Sequence, residues 1–241
     1  MSTVRVMGSR SALSSRFARR EKFGGAWWLA LIVCKPALVA LRQADWRRAD
    51  RIPRSGGAVM AANHVSHIDP LLVAEMLLAH GRVPRFLAKN ALFRVPIVGW
   101  WFRAAGHVEV DRDAGQGAYG DAVRAAREGR LLLVYPEGSI TRRPDGMPMS
   151  MKSGAVRIAL EASVQLVPVA QWGAQAILPA YSRRLHLGRR TRVVIAVGEP
   201  IRLDDLRQRD PVSAVQIGLG RLEEALASMV RELSGEPARS H

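Results

Sequence analysis

At 241 residues the chain is long enough to bury one substantial core, and 36 Lys plus Arg against 21 Asp plus Glu leave a net charge of +15. Such a balance favours anionic partners, but with three Tyr, five Phe and no RNA-binding signature, zinc-finger spacing or basic heptad zipper, no nucleic acid is expected among them. The single cysteine, Cys34, excludes an intrachain disulfide framework and suits a reducing or redox-indifferent setting.

Residues 1–22 are rich in Arg and Ser, with no acid before Glu21. A mitochondrial-type transit peptide has this composition; a disordered basic arm is the preferred reading. An apolar run, Ala26–Cys34, follows, is broken by Lys35-Pro36 and resumes as Ala37–Leu41. A membrane-spanning helix needs about 20 predominantly apolar residues, and this run is shorter, with a charge and a proline at its middle. Its basic flanks (Arg19, Arg20, Lys22; Arg42, Arg47, Arg48) and the Trp27-Trp28 pair make residues 23–50 a helix or helical hairpin lying in the membrane interface. A buried N-terminal helix is the alternative. Residues 51–235 carry no repeat or long linker and read as one domain.

That domain is organised around Asn63-His64-Val65-Ser66-His67-Ile68-Asp69-Pro70. Ala58–Ala62 before it is a short apolar run, the pattern of a buried strand; Leu71, Leu72, Met76 and Leu77 after it recur at helical spacing up to His80-Gly81. Asp69 is expected at the N-cap and Pro70 at the first helical position. On one continuous helix His64 and Asp69 point about 140° apart and do not meet. Across a strand-to-helix turn the carboxylate can fold back onto the imidazole, which is the base half of a catalytic triad.

Pro84–Lys89 reads as a short strand ending in Lys89. Ala91–Ala105 is strongly apolar, broken at Pro96 and Gly99, and fits either core or the lining of an aliphatic tunnel. His107–Arg112 alternates like a strand and delivers Arg112 at its end. An amphipathic helix over 115–129 precedes Leu131–Tyr135, a continuous apolar run typical of a strand buried on both faces of a parallel sheet. This strand runs into Pro136-Glu137-Gly138-Ser139-Ile140-Thr141-Arg142-Arg143, and ligands of open α/β sheets bind beyond the carboxyl ends of the strands. A helix after Gly154, strands at 164–169 and 192–197 and a C-terminal helix with Leu219, Leu222, Leu226, Met229 and Leu233 on one side complete the chain. Pro168 marks its strand as an edge or a bulge. The fold class is α/β: one domain with a mostly parallel mixed sheet flanked by helices.

With these pieces in order, residues 55–200 resemble the glycerophospholipid acyltransferase family, its lysophosphatidic acid acyltransferase branch in particular. Four ordered blocks carry the resemblance. Asn63-His64 through Asp69-Pro70 is similar to N-H-x4-D-P; Lys89 through Pro96 and Gly99 to Arg112 is similar to the second block; Tyr135-Pro136-Glu137-Gly138-Ser139 is similar to F-P-E-G-T; Val167-Pro168-Val169 matches V-P-V. In many members Arg follows that Thr directly, whereas here Ile140 stands there and the first arginine is Arg142.

The resemblance implies acyl transfer from a thioester to the free hydroxyl of 1-acylglycerol 3-phosphate, giving phosphatidic acid. It implies His64 and Asp69 as catalytic residues, and Lys89, Arg112, Glu137, Gly138, Ser139 and Arg142 as substrate-binding ones. No metal and no cofactor are expected; the donor is an acyl-coenzyme A or an acyl carrier protein thioester. The chemistry agrees, since acyl transfer to an alcohol needs a base and an oxyanion site but no enzyme nucleophile. Backbone amides near Gly138 or at the helix start by Pro70 are the oxyanion candidates, and no Gly-x-Ser-x-Gly elbow is present. The expected setting is an anionic membrane surface, peripheral or monotopic on the cytoplasmic face. The rivals are acylation of another lysolipid or a lipid amine and, in another class, a non-catalytic basic protein held on membrane or nucleic acid by charge.

Overall fold

The run Ala58–Ala62 offers no polar side chain to turn toward solvent, and it forms β2, buried at all five positions. In the computed structural model, which describes residues 21, 24–110, 117–182, 184–186, 188 and 190–235, β2 belongs to a seven-stranded sheet. The other strands are β1 (Arg42–Arg47), β3 (Pro84–Lys89), β4 (Val108–Val110), β5 (Leu131–Val134), β6 (Gln165–Trp172) and β7 (Thr191–Val197). Their order is β1-β7-β6-β2-β5-β3-β4, parallel throughout except for the antiparallel β6–β7 pair.

Two cores flank the sheet. Ala58, Met60 and Ala62 pack with Trp27 and Leu38 of α1 (Gly25–Leu41) and with Leu72, Met76 and Leu77 of α2 (Asp69–Ala79). The alternate residues Val59 and Ala61 pack with α5 (Gly117–Arg127), α6 (Gly154–Ala162) and α8 (Pro211–Ser234). The remaining helices, α3 (Asn90–Arg94), α4 (Pro96–Ala104) and the single turn α7 (Ala174–Ile177), border the strand ends. Ala61 lies opposite Val134 on one side, and Ala62 opposite Val169 on the other. The segments leaving β2 and β5 therefore emerge side by side at one edge, and β6 runs three residues further along them.

Two local features differ from the sequence reading. Residues 23–50 are not helical throughout: α1 stops at Leu41, and Arg42–Arg47 joins the sheet as its edge strand, parallel to β7. Nor is there a hairpin at Lys35-Pro36. One helix runs through Pro36, whose missing N–H falls on the exposed side, while Trp27 and Leu38 on the other side are buried. Residues 1–20, 22 and 23 lie outside the described residues.

Pro168 sits in an interior strand, yet where the ladder toward β7 is interrupted. Val169 pairs with Val197 and Leu166 with Ile201, so three steps on β6 face four on the other segment. That extra residue is the bulge anticipated from the proline, and the Pro168 carbonyl there accepts the Gly198 N–H at 2.9 Å.

His107 lies where α1, α4 and β3 meet. Its Nδ1 accepts the Phe86 N–H at 3.1 Å, and the rings of Phe86, Phe102, Trp101 and Trp27 surround it at 4.7–5.4 Å. Burial, with the Arg85 guanidinium nearby, pulls its pKa from 6.5 down to about 3. The unfolded chain thus takes up this proton at higher pH than the folded protein. Its contribution is fully present above about pH 6.5 and falls by about 1.4 kcal/mol per pH unit as the pH drops toward 3. Urea unfolding at about pH 5 should show a loss of about 2 kcal/mol from this group relative to neutral pH. His107→Asn, which keeps an acceptor near Phe86, should lack that loss; equal losses in both proteins would contradict the assignment.

Candidate active site

The site begins where β2 ends. Asn63 is fully buried, and its side chain continues the ladder to β6 in place of backbone: Nδ2 donates to the Gln171 carbonyl at 3.1 Å, and Oδ1 accepts the Gln171 N–H at 2.8 Å. The Gln171 side chain reciprocates, Nε2 donating to the Asn63 carbonyl at 2.7 Å. This pairing fixes the direction in which the chain leaves the sheet.

His64 is then held at both backbone ends by the segment leaving β5. Its N–H donates to Glu137 Oε1 at 2.9 Å, and its carbonyl accepts the Thr141 N–H at 2.8 Å. The Tyr135 ring lies over the imidazole, with centroids 4.3 Å apart and planes 31° from parallel. The imidazole Nδ1 meets Asp69 Oδ2 at 2.8 Å. The same oxygen accepts the Val65 and Ser66 amides at 2.6 and 2.8 Å.

Asp69 opens α2 but does not cap it. Helix numbering starts at Asp69, the residue before it makes no side-chain cap bond, and the carboxylate turns back to upstream amides. The expected N-cap is thus replaced by the link to His64. A proton on Nδ1 shared with Asp69 leaves Nε2 as the basic nitrogen, and 15% of the His64 side chain is exposed whereas Asp69 is fully buried. Burial pushes the Asp69 carboxyl up from the ordinary carboxylate range, and the bonds from His64, Ser66 and Val65 oppose that rise. Burial likewise raises Glu137, against the pull of the Met149 and His64 amides.

The sequence-predicted residues meet at this edge in different capacities. Both Glu137 oxygens are taken by backbone amides, His64 and Met149, so its carboxylate shapes the loop. Gly138 sits at φ +73°, a left-handed turn that favours glycine, and its N–H donates to the Tyr135 carbonyl at 3.0 Å. That amide is engaged in the turn. At the other oxyanion candidate, Pro70 has no N–H, and the Leu71 amide donates to the Ile68 carbonyl at 3.1 Å. Ser139 is half-buried beside Gly138. The Ser66 hydroxyl is buried and donates to the Leu178 carbonyl at 2.7 Å, a structural commitment.

Arg142 is exposed and lines an open cleft of about 530 Å³ with Thr141, Arg143, Ala180 and Tyr181. Arg143 is paired with Asp145 at 2.7 Å, whereas Arg142 has no carboxylate partner among the described residues. Lys89 ends β3; its side chain, like the whole of Arg112, lies outside the described residues. Among the described residues no group of His, Cys, Asp and Glu is placed to hold a metal ion. Sequence reasoning missed Gln171 and Tyr181. A lone amide in the apolar strand Val167–Trp172 was the available signal for Gln171, and Tyr181 had none.

A His–Asp pair held between two parallel strand ends, with an arginine-lined cleft beside it, is an arrangement suited to deprotonating a hydroxyl next to an anionic group. The family model described as Acyltransferase matches residues 44–172, more than half of the chain, and the chain belongs to that family. Among named relatives it is similar to the chloroplastic 1-acyl-sn-glycerol-3-phosphate acyltransferase LPAT1 of Arabidopsis thaliana, 31% identical over 57% of this chain and 38% of that protein. It is also similar to the 1-acyl-sn-glycerol-3-phosphate acyltransferase of Streptococcus pneumoniae, 27% identical over 75% of this chain and 66% of that one. The alignments thus span from well under half to about two thirds of these relatives' lengths. The crystal structure of the 1-acyl-sn-glycerophosphate acyltransferase PlsC from Thermotoga maritima superposes with a TM-score of 0.66 at 25% identity, covering 88% of this chain and 81% of that one.

The Asn63–Gln171 pairing carries a stability prediction. Asn63→Ala leaves the buried N–H and carbonyl of Gln171 without the side-chain partners that satisfy them, at about 1–3 kcal/mol for each stranded group. Chemical denaturation should therefore show a loss of at least about 2 kcal/mol. A loss below about 0.5 kcal/mol, the size of an ordinary surface change, would mean that the exit from β2 is fixed by other contacts.

Proposed function

We propose that this protein transfers a fatty acyl group from an acyl thioester to the free hydroxyl of 1-acylglycerol 3-phosphate, forming phosphatidic acid. The observation that carries the reading is the His64 Nδ1–Asp69 Oδ2 contact at the carboxyl edge of β2, beside a cleft whose Arg142 has no carboxylate partner among the described residues. The relatives' names point the same way.

In this reading His64 Nε2 removes the acceptor's hydroxyl proton as the oxygen bonds to the thioester carbonyl carbon. The tetrahedral intermediate collapses, the carbon–sulfur bond breaks, and the imidazolium returns the proton to the departing sulfur. Asp69 keeps the ring in the required tautomer and stabilises the transient imidazolium. Arg142 supplies a forked donor for the acceptor phosphate, a role the sequence also gives to Arg112, and Lys89 is a further substrate-binding residue that the resemblance implies. Glu137, Gly138 and Ser139 shape the loop that presents it. The donor is an acyl-coenzyme A or an acyl carrier protein thioester, and the chemistry calls on no metal or cofactor.

In the same reading the protein works at the surface of an anionic membrane, peripheral or monotopic on the cytoplasmic face of the cell membrane. Supporting this, α1 exposes Trp28, Leu29, Ile32 and Val33 around Lys35, and α4 exposes Ile97 and Trp100. The two helices are joined by the Trp101 Nε1–H, which donates to the Ala26 carbonyl at 2.8 Å. Among the described residues no helix is long and apolar enough to cross a membrane. An apolar face with basic residues suits partial insertion at the headgroup level.

Two expectations follow for the purified protein. His64→Ala should lower kcat for lysophosphatidate acylation by about 10²–10⁴-fold with unfolding unchanged, whereas His67→Ala should be much milder. Retained turnover in the His64 variant would exclude it as the base, and a charge-driven binder would show no turnover in either. Flotation with anionic vesicles should retain part of the wild type at about 1 M salt, where charge is screened within about 3 Å. Ile32→Glu should weaken that retention at least about tenfold, because one fully buried Ile contributes about 1.5–3 kcal/mol; unchanged binding would place the membrane contact elsewhere.

A further inference from the structure

We propose that Tyr181 is a positioning residue of this site: it holds the Arg142 guanidinium in the cleft beside the dyad, and through Arg142 it sets the preference for an acceptor bearing a phosphomonoester. The proposal rests on the acyl-transfer reading above and adds a residue from a third segment, after α7, to the two segments that leave β2 and β5.

That segment is fastened to both of the others. Ser66 Oγ of the motif turn donates to the Leu178 carbonyl at 2.7 Å, and the His67 ring meets the Tyr181 ring edge-on at 6.5 Å. On the other side, the Tyr181 hydroxyl donates to the Ile140 carbonyl at 2.7 Å. Arg142 Nε donates to the same hydroxyl at 3.4 Å, and the guanidinium carbon stands 5.8 Å from the ring centroid. Tyr181 therefore links the motif turn, the loop after β5 and the arginine, although 54% of it is exposed. Its backbone sits at φ +60°, an outlying conformation for a bulky residue, between the bonds Ser182 N–H to Pro179 carbonyl and His186 N–H to Ile177 carbonyl.

The need for such a tie is local. Thr141, whose N–H meets the His64 carbonyl, and Ile140 before it are buried at 5% and 4% exposure and carry no charge, so the first cation of the loop arrives at the exposed Arg142. Left to itself, an exposed arginine samples many rotamers, and ordering it opposes binding. Nε held by the Tyr181 hydroxyl leaves both terminal nitrogens for a forked contact, the geometry that suits the oxygens of a phosphate. The neighbouring Arg143 is less suited, since its Nε and Nη2 bond Asp145 at 3.0 and 2.7 Å.

The test is a double-mutant cycle on the full chain, reading kcat and KM for lysophosphatidate at saturating donor. Tyr181→Phe keeps the ring and removes the hydroxyl tie; the acceptor KM should rise about three- to tenfold, with kcat and the donor KM within about twofold. Arg142→Ala should lose about ten- to a hundredfold in acceptor kcat/KM. In that background Tyr181→Phe should add less than about twofold, because the tyrosine acts through the arginine. Inorganic phosphate as a competitive inhibitor should weaken in parallel in the Tyr181→Phe protein. Additive losses, a fall in kcat at constant KM, or an unchanged Tyr181→Phe enzyme would overturn the proposal while wild-type turnover upholds the reading beneath it. A wild type that does not acylate lysophosphatidate would overturn both.

Discussion

Oδ2 of Asp69 meets the imidazole Nδ1 of His64 and accepts the amides of Val65 and Ser66, all within 2.8 Å, so the turn from His64 to Asp69 closes on one buried oxygen. Removing a carboxylate from water is costly, and only convergent donors make it tolerable. The start of α2 adds the favourable end of a helix dipole at the same place. Loop, helix start and base thus share a single electrostatic solution, and the orientation of the imidazole comes with it.

The sheet supplies what that turn cannot. Parallel register sets the ends of β2 and β5 level, so the Glu137 carboxylate reaches back to the His64 amide and the His64 carbonyl is met by Thr141. On the other side β6 outruns β2, and Asn63 satisfies the extra backbone of Gln171. The opposite edge has its own tie. Fully buried Arg82 donates to the carbonyls of Pro53 and Gly56 and pairs with Glu21 at 2.8 Å, holding the segments that enter the central strands. A rigid scaffold between two such clamps carries the exposed loops after β5 and α7.

Much of this was legible in the residues, for identifiable reasons. Ala58–Ala62 and Leu131–Val134 are too short and too apolar to be anything but buried strands, and the motifs after them had to share an edge once both strands were parallel. The strand Arg42–Arg47 was not legible. It is an edge strand of charged and polar residues, and the cost of burying Arg42 is met by Glu75, a partner 33 positions away that no local pattern announces. Asp69 read correctly as the partner of His64 but wrongly as a helix cap, because Asp-Pro looks the same in either role and only the fold decides which amides the carboxylate meets. Glu137 was placed at the site, yet its carboxylate serves the backbone; spacing alone does not tell a ligand from a brace. Tyr181 lay beyond any reading of motifs, since its importance comes from a contact across 39 positions with Arg142.

The most direct measurement of the central claim is the tautomer of His64. Two-bond ¹H–¹⁵N correlation spectra of the imidazole-labelled protein in mildly alkaline buffer, with His64→Ala used to assign the resonance among the six histidines, distinguish the protonated from the unprotonated ring nitrogen. A carboxylate-held base requires the proton on Nδ1, bonded to Asp69, and a bare Nε2 facing the substrate. In Asp69→Ala that preference should relax toward the usual mixture. A proton on Nε2 in the wild type, or a tautomer indifferent to the loss of Asp69, would contradict the dyad.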